Sequence, residues 1–163
     1  MPSRREQIKM TDAEVLSFLG EEKTVICATN GVSGWPHLMP LWFVVRPTGP
    51  DEASELWAWT FAKSQKTKNL ERDARASLQV EAGLEYQELR GVMLEANVVI
   101  HREIDDVLAL GMEIFERYTP GLGEGLSDEA KEMIRGQAAK RVAFQFVEQK
   151  RVSWDHRKLG GVY

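Results

Sequence analysis

Trp59-Thr-Phe-Ala-Lys-Ser-Gln-Lys-Thr-Lys-Asn-Leu-Glu-Arg-Asp-Ala-Arg-Ala-Ser77 changes texture twice within nineteen residues. It opens as the end of a strand, with aromatic residues alternating along one face, and closes as the start of another. Between them, Thr67 to Arg72 fits about one and a half helical turns, so a short helix joins two strands. The segment from Lys63 to Arg75 holds five basic residues (Lys63, Lys66, Lys68, Arg72, Arg75) against two acids (Glu71, Asp73), while the whole chain carries a net charge of -4. Ser64, Gln65, Lys66 and Thr67 fall where the strand ends and the helix begins. Free backbone N–H groups, the positive end of the helix dipole, hydroxyls and an ammonium can converge there on one anion, of which a phosphate is the natural example. A helix cap with a solvated basic face explains the same residues without a ligand.

Outward from this turn, the chain reads as mainly β with peripheral helices. Towards the N-terminus, Thr11 and Glu14 form a capping box ahead of Val15, Leu16, Phe18 and Leu19, predicting a helix that ends at Gly20. Thr24 to Thr29, Pro36 to Arg46 and Glu55 to Ala62 read as three antiparallel strands in a meander, with Trp57, Trp59 and Phe61 on one face of the third. The second of these is apolar on both faces, so one face must meet another layer, which a homodimer provides. Beyond the basic segment, Ala76 to Ala82 and Tyr86 to His101 read as strands, with Gly91 marking a bulge or a close backbone approach. Ile104 to Tyr118 and a segment capped by Ser127 read as helices, and 120–125 as a loop. Arg141 to Arg151 supplies a sixth strand. Six antiparallel strands point to a small closed barrel in one domain over residues 1–163, with a helical insertion at 104–138 and a tail at 153–163.

The 163 residues, 43% of them apolar, are enough for one buried core. The negative net charge argues against a nucleic-acid partner, and no apolar run approaches the roughly 20 residues of a membrane span. The expectation is a soluble, cytoplasmic protein with no membrane partner. Cys27, the single cysteine, rules out an internal disulfide and reads as a small buried hydrophobe. His37, His101 and His156 lack metal-ligand spacing.

The quoted stretch, together with the ending Ser153-Trp-Asp-His-Arg-Lys-Leu-Gly-Gly161, resembles the signature of the pyridoxamine 5'-phosphate oxidase-like split barrels. Its details are most similar to the branch of flavin- and deazaflavin-dependent oxidoreductases. The resemblance implies a homodimer of six-stranded antiparallel split barrels with a flavin-type cofactor at the interface. By this likeness Ser64, Lys66 and Thr67 contact the cofactor phosphate, Asn69 supports the turn, and Trp59 and Thr60 border the rings. Pro40, Leu41 and Trp42 lie along the other side, and Trp154 and Lys158 of the tail lie near the cofactor. Met39, Val44 and Gln65 stand where the true pyridoxamine phosphate oxidases carry Arg, Lys and Arg, so vitamin B6 oxidation is not the expected reaction. The cofactor expected first is the deazaflavin coenzyme F-420, whose oligoglutamate tail suits the basic segment with Arg157 and Lys158; FMN is the other. The expected function is hydride transfer to or from a small conjugated substrate, the cofactor carrying the chemistry. The alternatives are a flavin or deazaflavin carrier without turnover, and a haem-binding split barrel, whose axial ligand must come from His37, His101, His156 or Cys27.

Overall fold

The computed structural model describes residues 2–50, 53–120 and 125–161; parts of the expected turn at 47–51, of the loop at 120–125 and of the tail lie outside these residues. Two short helices open the chain, α1 (Arg4–Gln7) and α2 (Asp12–Glu21). Each starts with a capping box, Ser3 with Glu6 and Thr11 with Glu14, so that side chains satisfy orphan N–H groups reciprocally. Strands β1 (Val25–Asn30), β2 (Pro36–Leu41), β3 (Val44–Pro47) and β4 (Ser54–Phe61) follow. Helix α3 (Gln65–Arg72) then leads into β5 (Arg75–Ala82) and β6 (Arg90–His101). Helices α4 (Ile104–Tyr118) and α5 (Asp128–Ala138) precede β7 (Arg141–Asp155).

The sheet has seven strands rather than six, all paired antiparallel in the order β2-β1-β5-β6-β7-β4-β3. The expected second strand is broken: its first half pairs with β1 and its second half with β4. Because the two halves of one run form the two edges of the sheet, the barrel curls round but is not closed by hydrogen bonds.

The break at Trp42 and Phe43 has a physical cause. The Tyr118 hydroxyl accepts from the Phe43 N–H at 2.9 Å, and Arg117 donates to the Phe43 carbonyl at 2.8 Å. These bonds take the backbone groups that a neighbouring strand would otherwise pair. Arg117 also donates to the carbonyls of Leu19 and Glu22, both at 2.7 Å. It thereby ties the end of α4 to the end of α2 and to the break at once.

Strand alternation divides the interior into two. Leu56, Ala58, Val142, Phe144 and Phe146 point into the barrel core with Phe18, Val25 and Leu78. Their neighbours point outward, so Trp57, Trp59, Val44 and Ala143 form a second cluster with Val107, Leu110 and Ile114 of α4 and with Ala138 of α5. The shared face expected for Trp57, Trp59 and Phe61 is thus the face that the helical insertion covers. Gly111 permits the close approach, since a Cβ there would stand 2.6 Å from Cζ3 of Trp59. Gly91 plays the same part for Trp154, whose ring an added Cβ would overlap at Cζ2, so Gly91 marks a close approach.

Several elements differ from expectation, α3 starting at Gln65 instead of Thr67. Tyr86–Glu88 is a 3-10 turn instead of the start of β6, α1 is additional, and β7 runs on through Asp155 into a final 3-10 turn, His156–Leu159. Within the last turn His156 Nδ1 lies 2.8 Å from the Tyr86 carbonyl oxygen. No helix among the described residues is long and apolar enough to cross a membrane.

Candidate functional site

Strand β4 delivers both parts of the site. Its last residues, Trp59, Thr60 and Phe61, form one wall of a cavity of about 560 Å³, and Pro40, Leu41 and Trp42 at the sheet break form another. The helical insertion supplies the third, with Ile114 and Phe115 from α4 and Met133 and Gln137 from α5, while Arg141 closes the cavity from the first position of β7. The walls are apolar and aromatic with few polar groups, the usual lining of a small-molecule site. The Trp42 ring stacks on Tyr118 with centroids 4.5 Å apart, so the residue that pins the break also fixes the ring facing the cavity.

Immediately beyond Phe61 the chain turns into α3. Ser64 is its N-cap, accepting from the Thr67 N–H at 3.3 Å, and its hydroxyl lies 3.0 Å from that of Thr67. Thr67 donates onward to the Phe61 carbonyl at 3.2 Å. Asn69, fully buried, donates to Thr29 of β1 at 3.0 Å and accepts from Gln65 at 2.9 Å. The turn is therefore rigidly held from both sides, which is what an anion cradle needs to stay preorganised.

The electrostatics of this turn are one-sided. Lys66 is only 7% exposed and makes no ion pair or hydrogen bond among the described residues. Burial holds its ammonium below the usual lysine range, opposed by nearby Cys27 and reinforced by the charge of Arg141. Burial likewise lowers the Arg141 guanidinium from its ordinary value and pushes the Cys27 thiol up to about 12, so Cys27 stays a neutral core thiol. Among the described residues no carboxylate lines the cavity. A buried Lys66 and a part-buried Arg141 without a counter-charge among the described residues carry a desolvation cost that a bound anion offsets.

The sequence-derived residues fall into three groups. Pro40, Leu41, Trp42, Trp59 and Thr60 share the cavity. Ser64, Gln65, Lys66, Thr67 and Asn69 share the turn at the end of the same strand. Trp154 and Lys158 are brought to neither: Trp154 packs on Gly91 near the opposite end of β7, and Lys158 donates to Glu14 at 2.6 Å and to the Lys9 carbonyl at 2.9 Å. Arg157 is likewise spent on Asp155, at 2.7 Å. Arg90, on the same part of the sheet, pairs with Glu21 at 3.0 Å. Arg141 was missed by sequence reasoning, because it reads as an ordinary strand start; only the pairing of Phe61 with Arg141 across β4 and β7 reveals that it faces the aromatic wall.

Residues 11–151 match the family model described as pyridoxamine 5'-phosphate oxidase. Among solved structures, the conserved hypothetical protein Rv2991 of Mycobacterium tuberculosis is 38% identical, covering 99% of this chain and 95% of its own, with a TM-score of 0.85. A structure named F-420 reductase is 18% identical over 93% of this chain and 98% of its own, with a TM-score of 0.59. The haem storage protein HutZ of Vibrio cholerae is 17% identical over 86% and 93%, with a TM-score of 0.63. At these lower identities the likeness is one of fold. The sequence has no significant match among curated proteins.

Proposed function

Because the chain belongs to the pyridoxamine 5'-phosphate oxidase family, we propose that it is an oxidoreductase that holds a flavin-type cofactor, the deazaflavin coenzyme F-420 ahead of FMN. The phosphate would rest on Ser64, Lys66 and Thr67, and the rings in the cavity between Pro40–Trp42 and Trp59–Thr60. The observation that carries this reading is the continuity of one strand from an aromatic cavity into a rigid, cationic turn whose ammonium has no partner of its own. When bound, such a group exchanges hydride with a small conjugated substrate; the protein's part is to bind, orient and exclude water. Pro40, Leu41 and Trp42 supply a flat apolar wall, and Ser64 and Thr67 supply hydroxyls beside a helix N-terminus. Lys63 and Lys68, exposed on either side of Lys66, favour a polyanionic cofactor tail. With Arg157 and Lys158 already paired, that preference rests on the basic segment alone.

The homodimer belongs to the same proposal. Leu38, Met39 and Trp42 are 56%, 41% and 55% exposed along the edge strand and the break, an apolar surface suited to a second copy. A haem reading is less well supported, since none of His37, His101, His156 and Cys27 lines the cavity. Carrier and enzyme differ in whether reduced cofactor is reoxidised by a substrate.

The test is a calorimetric titration of the wild-type protein with F-420 and with FMN, repeated on Lys66→Ala. Tighter binding of F-420, and a loss of about 1.5–3 kcal/mol in the variant, the scale of charge-assisted hydrogen bonds, support the assignment. Unchanged affinity in Lys66→Ala refutes the phosphate site, and failure of the wild type to bind either cofactor refutes the whole reading.

A further inference from the structure

Four arginines of this protein share a pairing that Arg141, with the same edge of its guanidinium available, lacks. Arg46, Arg75, Arg151 and Arg157 each present the Nε–Nη2 edge of the guanidinium to a carboxylate, with Glu113, Asp73, Glu148 and Asp155 as the respective partners. That edge places two parallel N–H groups at the spacing of two carboxylate oxygens. Arg141 offers the same edge with no acid on it. Among the described residues its Nε is buried and has no hydrogen-bond partner, and its Nη2 has only Gln137 Oε1 at 3.3 Å.

The rest of the side chain is held. The guanidinium carbon lies 4.6 Å from the Trp59 ring centroid and 4.2 Å from that of Phe61, two rings of the cavity wall that fix its plane by cation–π contact. A charged group locked in this way, at the edge of a cavity without an acid, is preorganised for an incoming planar anion. Lys66 and the Ser64–Thr67 hydroxyls do not line this cavity, whereas Arg141 does, so the two cations address different parts of a bound assembly.

We infer that Arg141 is a specificity-determining residue, and that the small conjugated substrate carries a carboxylate that its Nε–Nη2 edge grips while the conjugated system lies against the apolar walls. The inference rests on the proposed function in taking the cavity as the place where the cofactor rings lie, with the substrate beside them on the side of the helical insertion. Ile114, Phe115 and Met133 then accept the apolar body of the ligand, and Gln137 is the group whose weak bond is exchanged for the stronger carboxylate.

The test uses cinnamate and its neutral counterpart cinnamamide as probes, titrated calorimetrically into the full chain with and without bound cofactor. Wild type binds cinnamate at least about tenfold tighter than cinnamamide, as a charge-assisted pair requires. Arg141→Gln removes that preference, and Arg141→Lys keeps part of it because the charge stays and the fork is lost. Circular dichroism of each variant verifies the fold. No preference or no binding in wild type overturns the inference, as does a preference that survives Arg141→Gln. Loss of cofactor affinity in Arg141→Gln with the probe preference retained assigns the guanidinium to the cofactor and overturns it equally. The cofactor-free titration keeps this result separate from any failure of the cofactor reading.

Discussion

Replacing Arg117 by Ala removes one side chain that serves three parts of the chain. Its guanidinium makes short bonds to the carbonyls of Phe43, Leu19 and Glu22, at 2.8, 2.7 and 2.7 Å, with a longer one to Gly20 at 3.4 Å. It also lies over the Phe43 ring, 4.5 Å from its centroid. A hydrogen bond to a charged group contributes about 1.5–3 kcal/mol. The three bonds share one half-buried guanidinium, and water reaches some of the vacated carbonyls, so a total of about 3 kcal/mol is expected, in the range for breaking a partly buried charged network. Against a domain stability of about 5–15 kcal/mol that is a large fraction. In urea, with a denaturant slope of about 2 kcal/mol/M, the midpoint should fall by about 1.5 M. Because the same bonds hold the break between β2 and β3, affinity for a cavity ligand should fall as well. A stability loss under about 1 kcal/mol would show that the break is held by packing alone and refute this account.

Lys66→Met should stabilise the ligand-free protein near neutral pH while abolishing anion binding. The folded-state pKa of Lys66 is lowered, so between it and the unfolded value of about 10.5 the unfolded chain binds more protons and wild-type stability rises with pH. The advantage of Lys66→Met over wild type should shrink through that same alkaline window in paired denaturation curves; an advantage constant with pH would refute the burial argument. Gly111→Ala places a Cβ 2.6 Å from Trp59 Cζ3 and 3.0 Å from Ile134 Cγ2. Overpacking of about 1–3 kcal/mol exceeds the helical gain of about 1 kcal/mol, so thermal unfolding should shift down by about 3 °C, and an upward shift would mean that the Trp59 ring relaxes freely. The Cys27 thiol, pushed up to about 12 by burial, should resist Ellman's reagent at pH 8 in the native protein and react at once in denaturant; rapid native reaction would contradict its placement in the core.

How much of this was legible in the sequence depended on whether the deciding contacts were local. The capping box of Thr11 with Glu14 and the helical spacing from Ile104 to Tyr118 are short-range signals, and those helices stand where the signals put them, whereas α3 starts at Gln65, two residues ahead of the expected Thr67. Pro36 to Arg46 was readable as extended but not as broken. It is apolar on both faces, so its periodicity has no phase to interrupt, and the groups that break it, Arg117 and Tyr118, lie more than 70 positions away. The cavity wall from Pro40 to Trp42 and from Trp59 to Thr60 was visible through likeness to the family, whereas Arg141 was not, because its meaning comes from register across β4 and β7. Lys158 shows the opposite case: its charge suggested an anion, and within one chain Glu14 supplies one.

The broken run has a consequence for solubility. A sheet that does not close has two free margins, each a template on which a foreign strand can add. Here the margins are β2 and β3, and both are punctuated by proline, at Pro36 and Pro40 on one and Pro47 on the other. Proline has no N–H to offer an incoming strand, so neither margin can extend an uninterrupted ladder. The same short segment that leaves the barrel open therefore also places on each margin a residue with no N–H to offer an added strand.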